Sequence, residues 1–188
     1  AITAIRTVDT KHTIVVGGAS YNSYTELAAL PLYTDNNLIY TFHFYDPFMF
    51  THQGATWASP SMASLANVPF PYNASTMPST PSDLVGSWVG NALTNYKNDG
   101  TLAKVKSLID MAAAFKTSRN VKVYCGEFGV YIPNSPNADR NYWYEEVRKY
   151  LEAKGIPWTP WDYQGGFGLC TKGSAELFDY NLNIPLVT

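Results

Sequence analysis

The chain of 188 residues is 46% hydrophobic, 15% aromatic and only 15% charged, with 13 Lys and Arg against 15 Asp and Glu. This length and apolar content predict a single domain over residues 1–188. The low charged fraction excludes a disordered or coiled-coil protein, and a near-neutral charge without basic runs argues against a nucleic-acid or anionic-membrane partner. No apolar run approaches the ~18 residues that a bilayer span needs.

The first half of the chain begins with a predicted strand. The β-branched run His12–Gly17 ends at a glycine pair and is typical of a buried strand. A short helix is predicted over Tyr24–Leu32, and a second strand, rich in aromatic and β-branched residues, over Leu38–Tyr45. The segment Asp46–Gly100 is rich in Pro, Ser and Asn and predicts a long loop, which in a compact domain is usually functional.

The second half alternates helices and strands. Apolar residues at helical spacing predict an amphipathic helix over Thr101–Lys116, and a third strand follows over Val121–Gly126. A helix is predicted over Asp139–Lys154, a fourth strand over Ile156–Trp161, and a last helical turn near Ala175–Phe178. This alternation predicts an α/β fold with a parallel sheet, in which functional groups gather at the carboxyl ends of the strands.

Glu127 stands directly after the third predicted strand, in the run Tyr-Cys-Gly-Glu-Phe-Gly. A carboxylate there is either a working group or the partner of a cation, because an unpaired buried charge is costly. Gly126 and Gly129 leave room for another group to approach the backbone closely. Glu127 is therefore a candidate functional carboxylate, with a structural ion pair as the alternative.

His43 and Tyr45 are two residues apart on the second predicted strand, so both side chains point to the same face. Together they can hold a carboxylate or a sugar hydroxyl, although a buried histidine and a core tyrosine are the commoner roles. The three histidines lack metal-ligand spacing, and no phosphate-binding glycine loop or nucleophile elbow is present. The sequence therefore predicts no metal and no cofactor, and it argues against a serine hydrolase.

Four segments, in this order, resemble the C-terminal half of glycoside hydrolase family 5, the cellulase-like (β/α)8 barrels. They are Ile14–Gly18, Tyr40–Pro47 with Phe50–Ala55, Val123–Gly129, and Pro157–Tyr163. Their His-x-Tyr, Gly-Glu-Phe-Gly and tryptophan motifs resemble barrel strands five to eight of that family. The resemblance implies half of a (β/α)8 barrel and a secreted or cell-surface endo-β-1,4-glucanase that retains anomeric configuration, with any secretory leader already removed.

The resemblance also implies roles for individual residues. Glu127 matches the catalytic nucleophile, Tyr45 the tyrosine that holds its carboxylate, and His43 the neighbouring active-site histidine. Trp161 matches the tryptophan that stacks under the sugar at the cleavage subsite. Retaining hydrolysis needs a second carboxyl group ~5–5.5 Å away that acts first as acid and then as base.

The acid/base half of that machinery has no counterpart in the sequence. The family's acid/base glutamate lies in an Asn-Glu-Pro run, which does not occur here, and 188 residues are fewer than the ~250 of a complete barrel. We therefore expect an open half-barrel that is completed by a second copy of the chain or by a missing N-terminal half. In the homodimer, His12–Gly17 of one copy would lie beside Ile156–Trp161 of the other.

Further contacts to a β-glucan polysaccharide or oligosaccharide are expected in the aromatic-rich loop and beside Trp161. The candidates are Trp57, Phe70, Tyr72, Trp88, His52 and Asp162, the last being the only carboxylate that a partner copy could bring near the missing acid/base. Aromatic faces bind sugars, although a loop of this size also needs a small core of its own. Two functions stay open: a weak or inactive hydrolase of endoglucanase type, and a catalytically silent half-barrel that only binds β-glucan or self-associates.

Overall fold

Three parallel strands form the sheet of the computed structural model, which describes residues 1–188. The strands are β1 (Ile14–Gly17), β2 (Leu38–Phe44) and β3 (Val123–Phe128), in the order β1-β2-β3. Helices lie between consecutive strands and after the last one. The predicted α/β class and parallel sheet are therefore confirmed.

The helices in chain order are α1 (Ile2–Arg6), α2 (Ala19–Asn22), α3 (Phe48–Thr51), α4 (Trp88–Asp99), α5 (Leu102–Arg119), α6 (Asn137–Ala153), α7 (Phe178–Asn181) and α8 (Ile184–Val187). Two 3-10 helices cover Tyr24–Ala29 and Ser82–Leu84. The two long predicted helices correspond to α5 and α6. Helix α5 continues past Lys116 to a left-handed Asn120 (φ 51°), a conformation that ends helices. The last predicted turn lies slightly later, in α7.

The fourth predicted strand, Ile156–Trp161, pairs with β3 only in part. Its ladder consists of one parallel bridge, Cys125 to Trp158, with Thr159 N donating to Cys125 O at 3.0 Å. Two prolines in this segment lack an N–H donor, which interrupts a regular ladder. Trp161 N nevertheless donates to Phe128 O at 2.9 Å, so the segment still runs alongside β3 to its end.

The predicted long loop contains a helix that the sequence analysis missed. Helix α4 begins after Ser87, whose hydroxyl accepts a hydrogen bond from Gly90 N at 3.2 Å. Its buried face consists of Val89, Leu93 and Tyr96. The spacing of four and then three residues is helical, but the polar residues between these three positions make the helical pattern difficult to recognise in the sequence.

One face of the sheet is covered by the helices and the other is partly open. On the covered face, Phe42 and Phe44 are fully buried, and Phe44 stacks on Trp143 of α6 with ring centroids 6.3 Å apart. On the other face, Val15 of β1 is 56% exposed. Strand β1 pairs only with β2, so its second edge carries no strand. This open edge and open face lie next to the functional end of the sheet described below.

Candidate active site

A cavity of about 870 Å³ lies at the carboxyl ends of the strands. Seven of the sequence candidates line it: His43, Tyr45, His52, Trp57, Trp88, Glu127 and Trp161. The rest of the lining comes from the turn at 20–23 and from Phe48, Ala58, Ser59 and Phe167. The parallel sheet therefore brings residues from distant parts of the chain to one site, as such sheets do.

Glu127 is the only carboxylate in this lining. It lies inside β3 rather than after it, because the strand extends to Phe128. Its Oε2 accepts a hydrogen bond from the Tyr45 hydroxyl at 2.8 Å, while Oε1 accepts none from the chain. The side chain is 26% exposed, so the free oxygen remains available to a ligand.

Tyr45 and His43 hold this carboxylate from β2 and its continuation. Burial and the hydrogen bond to Glu127 both raise the pKa of Tyr45 above its ordinary value of 10.0. The phenol therefore stays protonated near neutral pH and donates its hydrogen bond. His43 Nδ1 lies 3.2 Å from Glu127 Oε2, so the same carboxylate oxygen receives the contacts of both side chains.

Asn22 orients the imidazole of His43, and the sequence analysis did not single it out. Its amide Nδ2 lies 3.3 Å from His43 Nε2. An amide nitrogen can only donate, so Nε2 accepts and the ring proton belongs on Nδ1, next to Glu127. A Cβ on Gly17 would lie 1.8 Å from Asn22 Oδ1, so only glycine at position 17 leaves room for this amide.

His52 is enclosed by aromatic rings on one side of the cavity. It stacks on Phe48 with ring centroids 3.9 Å apart and meets Tyr45 edge to face at 5.2 Å. Burial lowers the pKa of His52 from 6.5 to about 4, so the ring is neutral near pH 7. Trp57 and Trp88, which are 58% and 48% exposed, also line the cavity. Exposed aromatic faces of this kind suit the C–H surfaces of sugars.

Trp161 and Phe167 form the wall next to β3. A Cβ on Gly129 would lie 2.5 Å from the carbonyl oxygen of Trp161, so Gly129 allows the two segments to approach. Phe167 is 8% exposed and meets Tyr45 edge to face at 5.8 Å. Its carbonyl oxygen accepts a hydrogen bond from the Tyr144 hydroxyl at 3.2 Å, which fixes the Gly-rich segment 165–168 to α6. Phe167 is a second cavity residue that the sequence analysis missed.

Three sequence candidates do not line the cavity. Phe70 is 2% exposed and packs on Phe50 with ring centroids 5.4 Å apart, and Tyr72 packs on Tyr96 at 6.2 Å. Phe70 belongs to the main hydrophobic core, and Tyr72 packs against that core. Asp162 follows Trp161 but does not line the cavity, and its Oδ1 is buried without a hydrogen-bond partner. Burial raises the pKa of Asp162.

These groups can hold a sugar chain on aromatic faces and present one oriented carboxylate oxygen to it. Such an oxygen can act as a nucleophile or stabilise a positive charge at an anomeric carbon. No cluster of three or more metal-ligating side chains occurs in the structure. No helix is both long and apolar enough to cross a membrane.

The fold and the site define an α/β protein with the features of a glycan-cleaving enzyme. The family model described as Cellulase (glycosyl hydrolase family 5) matches residues 1–166, so the chain belongs to that family of glycoside hydrolases. Endoglucanase 3 of Fibrobacter succinogenes is 36% identical over 177 residues, which are 92% of this chain and 27% of that protein. Endoglucanase C of Acetivibrio thermocellus is 32% identical over 163 residues, 87% of this chain and 47% of that protein.

Solved structures support the fold. Endoglucanase Cel5A of Thermotoga maritima matches with a TM-score of 0.73 and 24% identity, over 99% of this chain and 50% of that one. The cellulose synthase subunit Z of Clostridioides difficile matches with a TM-score of 0.71 and 25% identity, over 100% of this chain and 52% of that one. The chain thus spans about a quarter to a half of the length of these four proteins. The family resemblance expected from the sequence is confirmed.

Proposed function

We propose that Glu127 is the nucleophile of a retaining endo-β-1,4-glucanase, and that these 188 residues hold only the nucleophile side of its catalytic machinery. The observation that carries this is the state of the Glu127 carboxylate. Tyr45 and His43 hold Oε2 at 2.8 and 3.2 Å, while Oε1 accepts no hydrogen bond from the chain. A carboxylate that is held at one oxygen and free at the other, beside exposed tryptophans, fits attack on a bound sugar.

In the proposed reaction, a glucan chain lies on the ring of Trp161 with an anomeric carbon next to Glu127 Oε1. The bond from Oε1 to that carbon forms while the bond to the leaving oxygen breaks, and the leaving oxygen takes the electron pair. An alcohol leaving group needs a proton at this moment. In the second step, water attacks the anomeric carbon, gives its proton to a base, and releases Oε1.

Both proton transfers need a second carboxyl group, which must come from outside the residues lining the cavity. Glu127 is the only carboxylate there, and Asp162 is not part of the lining. We therefore propose that the isolated chain forms the glycosyl-enzyme only with substrates whose leaving group needs no proton, and turns over cellulose at trace rates or not at all.

The test uses 2,4-dinitrophenyl β-cellobioside, whose phenolate leaves without protonation. We expect a burst of phenolate no larger than the enzyme concentration, a cellobiosyl adduct on the peptide that contains Glu127, and no sugar release from cellulose. Glu127→Gln should abolish the burst and the adduct. Asp162→Asn is the control carboxylate, and its burst should match that of the wild type. Robust cellulose hydrolysis by the purified chain would overturn the proposal.

The missing carboxyl group also bears on the partner of the chain. We propose that a second copy completes the sheet as a two-fold half-barrel pair, with the free edge of β1 beside the segment Ile156–Trp161 of the other copy. The unpaired edge of β1 and the exposed Val15 on the open face support this arrangement. Light scattering during size-exclusion chromatography should give twice the mass of 20.9 kDa. A monomer would overturn the proposed homodimer.

A second candidate function is β-glucan binding without chemistry. It is favoured by the same single carboxylate, because a lone Glu127 with three exposed tryptophans is sufficient for binding. The aryl cellobioside separates the two functions, since binding alone gives neither a burst nor an adduct. A polymeric glucan cannot enter a cell, so either function places the protein in the secreted or cell-surface fraction.

A further inference from the structure

A second cavity lies between the segment after β2 and helices α4 and α5, separate from the proposed cleavage site. It encloses about 330 Å³. Phe48 and Trp88 line both this cavity and the 870 Å³ cavity, with ring centroids 6.0 Å apart. The two cavities are therefore neighbours that share a wall of two aromatic rings. Trp88 is fixed in this wall because its indole N–H donates to Ser59 O at 2.8 Å.

Asp46 gives the second cavity an oriented hydrogen-bond acceptor. The Tyr24 hydroxyl donates to Asp46 Oδ2 at 2.8 Å, and the indole N–H of Trp143 donates to the Asp46 carbonyl oxygen at 2.9 Å. Asp46 Oδ1 accepts no hydrogen bond from the chain, although the residue lines the cavity. A positioned acceptor without a partner, in a cavity with aromatic walls, is suited to a ligand that donates a hydrogen bond.

Asp99 and Lys104 also line the second cavity. Both are exposed, and neither takes part in any ion pair of the structure. The cavity therefore offers two carboxylates and one ammonium group beside apolar and aromatic surface. An anionic ligand would meet more negative than positive charge here, and a purely apolar ligand would leave Asp46 Oδ1 unpaired.

We propose that this second cavity binds one pyranose unit of a glucan. A pyranose ring has apolar C–H faces for aromatic walls and hydroxyl groups that both donate and accept, which matches Asp46, Asp99 and Lys104. A volume of about 330 Å³ is at the small end of ligand pockets and suits one sugar ring rather than a chain. The choice of a glucan rests on the proposed function. The sugar unit comes from one of two sources, a branch on the chain bound in the larger cavity or the end of a separate chain.

The test follows backbone amide chemical shifts of the full chain while methyl β-D-glucopyranoside is added. We expect saturable shifts at Ala92, Asp99 and Lys104. Ala92→Leu fills the cavity from α4 and should weaken this binding at least 10-fold. Ala103→Leu is the matched control, since Ala103 is exposed on α5 and lies outside the cavity. Its affinity should equal that of the wild type. Asp99→Asn removes a charge without filling the cavity, and it should also weaken the binding of methyl β-D-glucopyranoside.

The position of the shifts separates this inference from the proposed function. When cellotetraose is added, chemical-shift changes at the second cavity alone support the sugar site and count against a glucan as the substrate of the larger cavity. Cellotetraose shifts at His43 and Glu127 alone, with none at the second cavity, overturn the sugar site and leave the proposed function standing. Shifts that persist unchanged in Ala92→Leu also overturn it. Cellotetraose with one α-1,6-linked xylosyl branch identifies the source of the sugar unit. If the second cavity binds a branch, this ligand binds more tightly than linear cellotetraose. If the cavity binds the end of a separate chain, the two ligands bind equally tightly.

Discussion

His43 and Glu127 are neighbours across the sheet because the pairing of β2 with β3 shifts by one residue at Gly126. Before the shift Phe42 pairs with Cys125, and after it His43 pairs with Glu127. In an unshifted ladder Glu127 would lie opposite Phe44, which is fully buried on the helix-covered face. The bulge therefore turns the carboxylate to the cavity side, a known use of bulges near active sites.

Gly126→Ala should disrupt this bulge. A Cβ at position 126 would lie 2.6 Å from the hydroxyl oxygen of Thr41, which is 8% exposed and has little room to move. We expect the free energy of unfolding to fall by about 1–3 kcal/mol, as for other overpacked sites. Urea unfolding of the purified variant measures this change.

A second substitution tests whether the Thr41 hydroxyl is the cause. Thr41→Ala removes that hydroxyl and should recover part of the lost stability in the Gly126→Ala background, whereas Thr41→Ser keeps it and should recover none. Equal recovery by both would show that the bulge, rather than this one contact, excludes a side chain at position 126.

Tyr45→Phe should leave the fold intact and misplace the Glu127 carboxylate. The change removes the 2.8 Å hydrogen bond to Oε2, and small errors in the position of a nucleophile cost roughly 10- to 100-fold in rate. The rate of the 2,4-dinitrophenolate burst measures this loss. Tyr40→Phe is the matched control, because Tyr40 lies on β2, the strand that leads to Tyr45, and its ring is buried on the helix-covered face. A burst of wild-type rate in Tyr45→Phe would contradict the positioning role.

The sequence located the functional end of the sheet because strand ends can be recognised from β-branched runs and glycines. The segments ending near His43 and Glu127 lie together for that reason. The bulge itself could not be predicted, since a one-residue shift depends on how Gly126 packs against Thr41 from another strand. A glycine at position 126 indicates that another group approaches the backbone closely, but the sequence does not show which group it is.

Long-range packing decides which candidates line the cavity. Phe70 is a candidate because it lies in the aromatic-rich loop, and Asp162 because it follows Trp161, but neither residue lines the cavity. Asn22 and Phe167 line the cavity because of contacts between residues that are far apart in the sequence. The Asn22 amide contacts His43, and the Tyr144 hydroxyl on α6 donates to the Phe167 carbonyl oxygen. A glycine-rich segment with one aromatic residue, at 165–168, was the only local signal for Phe167.

Because of His52, the free energy of unfolding should be lower in mild acid than at neutral pH. Its pKa is about 4 in the folded protein and 6.5 in the unfolded chain, so between these values the unfolded chain binds the proton and the folded protein does not. This contribution to the free energy of unfolding is complete above pH 6.5 and is lost as the pH falls toward 4. The loss is about 3 kcal/mol at most, from ~1.4 kcal/mol per pKa unit.

Urea unfolding between pH 7 and pH 4 measures this dependence. His52→Phe keeps an aromatic ring between Phe48 and Tyr45 and should fall less steeply with decreasing pH than the wild type. Parallel curves for wild type and His52→Phe would contradict the prediction.

Tyr144→Phe should weaken sugar binding from outside the cavity. The Tyr144 hydroxyl donates to Phe167 O at 3.2 Å and accepts from Val130 N at 3.4 Å, and the residue is 2% exposed. Arg140, one turn earlier on α6, donates to Gly168 O, so the two side chains fasten consecutive peptide groups of the cavity wall. Removing the hydroxyl leaves buried groups without a partner, which costs about 1–3 kcal/mol of stability.

Because Phe167 contacts Tyr45 and His52, a looser Phe167 should also lower the affinity for cellobiose several-fold. Isothermal titration calorimetry measures the affinity, and urea unfolding measures the stability. Tyr150→Phe is the matched control on the same helix, since its hydroxyl bonds Asp110 far from the cavity. It should lose less stability and keep the wild-type affinity. If Tyr144→Phe lost stability but bound cellobiose as tightly as Tyr150→Phe does, the clamp on Phe167 would be structural only, and the wall of the cavity would be positioned by Arg140 and the backbone of the segment 165–168.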